Sequence, residues 1–120
     1  MKASDLVTVW SAPDNSRLTA KQYSFRLPVH VAAKLAALED LYSTKSRTQL
    51  VGDLLSAAIA EVERGFPFVP GQFIDHRPDT GEEIFEDLGP GRQYQAAATR
   101  HYNELEKEMG NESPAKLSFN

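Results

Sequence analysis

Gln22-Tyr23-Ser24-Phe25-Arg26-Leu27-Pro28 alternates polar and apolar side chains, then runs directly into two amphipathic helical patterns that end near Val62. A strand sends successive side chains to opposite faces. Tyr23, Phe25 and Leu27 therefore share an apolar face, and Gln22, Ser24 and Arg26 share the other. A lone strand leaves its backbone groups unsatisfied, and about 45 residues cannot enclose a sufficient core. A second copy of the chain repairs both deficits. Strand pairs with strand, four helices close over the apolar face, and the ribbon displays two sets of Gln22, Ser24 and Arg26.

The helical patterns follow from spacing. Pro28 ends the strand and suits the first turn of a helix, where its missing N–H costs nothing. Val31, Leu35, Leu38 and Tyr42 recur at intervals of four, three and four, which predicts a helix over about 29–42. Alanines at 32, 33, 36 and 37 add helix propensity and allow close approach of a neighbour. After Ser43-Thr44-Lys45, Ser46 and Gln49 form a capping box that opens a second helix. Leu50, Val51, Leu54, Leu55, Ala58, Ile59 and Val62 make its wide apolar stripe, as expected where two chains share a core, and Gly65 is placed to stop it.

The flanks are less patterned. Residues 1–20 form an N-terminal arm, with Leu6-Val7-Thr8-Val9-Trp10 as a short strand and Pro13-Asp14-Asn15 as a turn. Phe66-Pro67-Phe68-Val69-Pro70-Gly71 reads as a rigid apolar linker. Phe73-Ile74-Asp75-His76 and Glu82-Glu83-Ile84-Phe85 flank Pro78-Asp79-Thr80-Gly81, a hairpin signature. Gly89-Pro90-Gly91 breaks the chain before a third helix over about 92–109, carrying Tyr94, Ala98, Tyr102, Leu105 and Met109, with Gly110 as its stop. The last ten residues are expected to be disordered.

Composition narrows the function classes. The chain has no cysteine, which excludes disulfides, thiol catalysis and cysteine-ligated metals. No apolar run approaches the roughly 18–20 residues of a membrane span. The start lacks a signal-peptide pattern, so the expected location is the cytoplasm, at the nucleoid. The net charge of −4 is unevenly shared: residues 1–64 carry +1 and residues 65–120 carry −5. Glu82, Glu83, Glu86 and Asp87 read as a solvated acidic loop rather than an acid/base pair. His101 with Glu104, and Asp75 with His76, are too sparse to mark a metal site. Asn111-Glu112-Ser113 fits a glycosylation acceptor but carries no weight without an export signal. Neither enzymatic activity nor a cofactor is expected.

Taken together, Gln22 to Val62 resembles the ribbon–helix–helix family of Arc, MetJ and CopG, small dimeric repressors that place a β-ribbon in the DNA major groove. The resemblance rests on the strand ending in Arg26-Leu27-Pro28, the turn Lys45-Ser46-Arg47-Thr48 and the Gln49-Leu50-Val51 that follows. It covers about a third of the chain. Two departures stand out: Ser43-Thr44 fills a turn where the family often has glycine, and Gly52 interrupts the second helix.

The resemblance implies a mainly α fold with a short β-ribbon and a homodimer built from residues 21–65, to which the charge and turn pattern of residues 66–120 adds an acidic C-terminal extension with a hairpin and one helix. It further implies that Gln22, Ser24 and Arg26 read bases. Arg forks onto guanine O6 and N7, Gln onto adenine N6 and N7, and Ser is permissive. Lys45, Ser46, Arg47 and Thr48 would hold a phosphate at the N-terminus of the second helix. Tyr23, Phe25, Leu27, Leu35, Leu38, Leu50, Leu54 and Ile59 would form the dimer core. The expected function is sequence-specific repression on double-stranded DNA. The alternative is an antitoxin or other interaction protein whose acidic half, residues 66–110, binds a toxin-like partner protein.

Overall fold

The computed structural model describes residues 5–6 and 17–119. Five elements follow in chain order: α1 (Val29–Leu41), α2 (Arg47–Arg64), β1 (Pro70–His76), β2 (Glu83–Asp87) and α3 (Pro90–Glu108). Among the described residues the architecture is three helices and one short antiparallel sheet, the mixed class the pattern predicts, and that sheet is the hairpin of the C-terminal half. The chain divides into two compact units, residues 1–61 and residues 62–120.

In the first unit, Pro28 precedes α1 as its N-cap, one position earlier than the first-turn place the sequence suggests, and its carbonyl accepts the Ala32 N–H at 2.9 Å. The core is small. Leu6, Leu50 and Ala57 are buried together, with Leu35, Leu38, Tyr42 and Leu54 half-buried against them. Leu6 has helical backbone, not that of the strand expected to begin there, and is 2% exposed in this core. The remainder of the strand expected from Leu6 to Trp10, and the turn at Pro13-Asp14-Asn15, lie outside the described residues.

Gly52 sits inside α2, and a methyl group placed on it meets no atom within 4 Å. Glycine in a helix interior costs about 1 kcal/mol against alanine. Gly52→Ala should therefore raise the urea midpoint by an amount worth about 1 kcal/mol, measured by circular dichroism. A loss of stability would mean that a second chain packs against this position.

The second unit begins within the last turn of α2. Gly65 follows the helix, its N–H bonded to the Val62 carbonyl at 3.0 Å, and it stops the helix without a left-handed backbone. β1 and β2 pair antiparallel, with Phe73 opposite Phe85, Asp75 opposite Ile84 and His76 opposite Glu83. The turn works as its residues suggest. Gly81 takes φ +73°, its N–H donates to the Arg77 carbonyl at 2.9 Å, and the Arg77 N–H donates to Glu82 at 2.7 Å.

One carboxylate oxygen of Asp87 accepts the N–H groups of Val69 and Gly89. This ties the linker to the start of α3. A Cβ on Gly89 would lie 2.1 Å from the Pro67 carbonyl oxygen, so only glycine permits that approach. Pro90 stands at the start of α3, where the helix needs no N–H from it, so the helix begins two residues before the expected start at 92.

The Tyr94 hydroxyl donates to Glu63 at 2.9 Å. Burial, and then this bond, push the phenol above its ordinary value, so it remains a donor throughout the neutral range. Phe66 and Phe119 both contact the Tyr94 ring, with centroids 5.0 and 5.8 Å away. The tail therefore differs from the disorder expected of it. Gly110 ends α3 with φ +85°, Asn111 donates its N–H back to the Glu106 carbonyl, and the chain returns to Tyr94.

Candidate nucleic-acid interface

Among the described residues, 22–28 form no strand ladder, and the one sheet is the β1–β2 hairpin. The side chains nevertheless report an extended backbone. The Tyr23 and Phe25 rings are parallel within 5°, with centroids 6.5 Å apart. Two residues of a strand advance about 6.6 Å, so this is the spacing of neighbours on one face. Lys21 continues the same face, its Nζ 5.9 Å from the Tyr23 ring centroid. Alternation puts Gln22, Ser24 and Arg26 on the opposite face, and all three are exposed.

The residues assigned to a shared core divide by how much a single chain can bury. Leu50 is fully buried, and Leu35, Leu38 and Leu54 are half-buried. Tyr23, Phe25 and Leu27 are 54%, 73% and 46% exposed, and Ile59 is 48% exposed. Val29, Val31, Leu41, Leu55 and Val62 add to the uncovered apolar surface. Monomeric soluble proteins rarely expose large contiguous apolar patches unless another molecule covers them.

At the start of α2 the capping box is complete. The Gln49 N–H donates to Ser46 Oγ at 3.1 Å, and the Ser46 N–H donates to Gln49 Oε1 at 3.0 Å. The Leu50 N–H bonds the Ser46 carbonyl. The N–H groups of Arg47 and Thr48 are the first-turn donors that these bonds do not use, and no acidic residue stands in that turn. Helix N-termini of this kind favour anions. Thr48 is exposed. Lys45 is half-buried, its N–H bonded to the Tyr42 carbonyl at 3.0 Å.

Arg47 is differently placed from a waiting phosphate ligand. Its guanidinium forks onto Glu39 of α1, with Nε on Oε1 and a second bond to Oε2 at 3.2 Å. The Arg47 hydrogen bond is the main reason the Glu39 carboxyl titrates below its ordinary value. A depressed carboxyl contributes stability above its unfolded pKa and loses it as pH falls through the folded value, so the pair is intact at neutral pH. Sequence reading missed Glu39. The only signal was opposite charge on either side of a short connection, eight residues apart.

This pair predicts a gain of affinity. Glu39→Gln should release Arg47 and remove a negative charge beside the proposed phosphate site. In an anisotropy titration, DNA binding should tighten and the plot of log affinity against log salt should steepen by about one unit for each Arg47 recruited. Unchanged affinity and slope would leave Arg47 outside the interface.

Elsewhere, His101 Nδ1 lies 3.7 Å from Glu104 with both side chains exposed, and no three metal-ligating side chains converge among the described residues. Among the same residues no helix is long and apolar enough to cross a membrane.

No protein-family model, curated protein or solved structure matches the chain. The ribbon–helix–helix resemblance therefore stands on the residues from Gln22 to Val62 alone.

Proposed function

We propose that this chain is a homodimeric, sequence-specific DNA-binding protein that represses transcription by occupying its site. Two copies pair their 22–27 segments as an antiparallel ribbon, bury Tyr23, Phe25 and Leu27, and present Gln22, Ser24 and Arg26 to the major groove. The observation that carries this reading is the segment with stacked Tyr23 and Phe25 rings, exposed on its apolar side and without a strand partner among the described residues. The capped start of α2, with the Arg47 and Thr48 amides unspent, supports a phosphate contact that sets the register.

The test is fluorescence anisotropy of the full chain on the DNA upstream of its own gene and on a scrambled duplex, across a salt series. Tight binding to the upstream duplex alone, weakening linearly in log salt, is expected. Equal binding to both duplexes, or none, would refute the reading.

A further inference from the structure

The hairpin in the second unit is a two-stranded sheet whose outer edges pair with no strand among the described residues. Such hairpins are marginal in water on their own. The two edges are unlike. Between Pro70 and Phe73 the register slips, and it slips again between Phe73 and Asp75, each time with the extra residue on β1. Bulges of this kind blunt an edge against pairing. β2, Glu83-Ile84-Phe85-Glu86-Asp87, carries no extra residue, and its outer edge pairs with no strand among the described residues.

The faces of β2 are chemically distinct. Phe85 meets Phe73 edge to face with centroids 5.8 Å apart, the His76 ring lies 5.1 Å from Phe73, and His76 stands opposite Glu83. One face thus presents aromatic rings beside a carboxylate. The other presents Ile84 and Glu86. Phe73, Ile74, Ile84 and Phe85 all remain between 36% and 58% exposed.

Charge selects what can lie there. Residues 70–88 hold six carboxylates (Asp75, Asp79, Glu82, Glu83, Glu86 and Asp87) against the single cation Arg77. A second copy aligned on β2 would set carboxylates opposite carboxylates, which destabilises a ladder. A phosphate backbone would be repelled. A strand carrying cations fits both faces: its arginines meet Glu83 and stack on the Phe85 face, while its apolar side chains lie over Ile84. Main-chain bonds to an exposed edge supply affinity, and the alternate side chains supply choice.

We propose that the outer edge of β2 takes a third strand from a partner protein, an extended segment in which arginine or lysine alternates with apolar residues. This role is independent of DNA binding by residues 22–48.

The test uses the full chain and two labelled peptides of identical composition: one alternating arginine and valine, the other with all arginines first and all valines last. The alternating peptide should bind about tenfold tighter, and it should slow amide exchange across Glu83–Asp87 in the nitrogen-labelled protein by about tenfold. Glu83→Lys should lose that preference. Glu83→Gln, which leaves the hairpin's own contacts in place, should weaken binding part of the way. Equal binding of the two peptides would overturn the proposal, because charge alone would then account for it. Protection that falls on β1, or on neither strand, would overturn it as well.

Discussion

Phe25→Asp should abolish the dimer and unfold the first unit in one step. In sedimentation equilibrium the native chain is expected at twice its 13.3 kDa mass, and the variant at the single-chain mass with its helical circular dichroism largely lost. Fully burying a phenylalanine contributes about 1.5–3 kcal/mol, and a carboxylate without a partner in the same place costs several more. The dimer bears the loss twice. Against a typical total stability of about 5–15 kcal/mol this is decisive, and a single chain whose core centres on Leu6, Leu50 and Ala57 has little in reserve. A variant that stays folded as a monomer would show that the exposed apolar face is not a shared core.

The second large effect falls on recognition rather than stability. Arg26→Ala, with Arg26 exposed and alternating with Phe25 and Leu27, should leave the dimer intact and weaken binding to the specific duplex. A bidentate arginine–guanine pair is worth roughly 1–3 kcal/mol, and the ribbon supplies two, so the loss should be about thirtyfold or more in Kd at fixed salt. Arg26→Lys keeps the charge but loses the planar fork, so it should recover the salt slope without recovering discrimination. Unchanged specific affinity in Arg26→Ala would remove the base-reading role.

What could be read from the sequence is what local chemistry decides. The Ser46–Gln49 box spans three residues and closes as its residue types dictate. Gly81 and Gly110 take the positive φ that the hairpin turn and the helix stop require. The Tyr23–Phe25 stack is a consequence of alternation alone. Contacts between distant residues were not legible. Leu6 enters the core across more than forty residues to Leu50, and Phe119 returns to Tyr94 from a segment with no hydrophobic period. The slips in β1 arise from how two strands fit, which neither strand reveals alone.

The same limit applies to the candidate interface. Gln22, Ser24 and Arg26 are exposed, as are the apolar residues that alternate with them. The resemblance gives Arg47 to a phosphate, yet the side chain lies on Glu39, a partner contributed by the preceding helix. Its availability therefore depends on a competition between a carboxylate and a phosphate for one guanidinium, and the charge-assisted fork can be satisfied by either.

A ribbon formed by two copies of residues 22–27 can be detected by isotope-filtered nuclear Overhauser spectroscopy on a mixture of labelled and unlabelled chains. Contacts are expected between the backbone α-protons of Tyr23 to Leu27 in one chain and those of the same segment in the other. A dimer without such contacts, or a chain that sediments at 13.3 kDa, would contradict it.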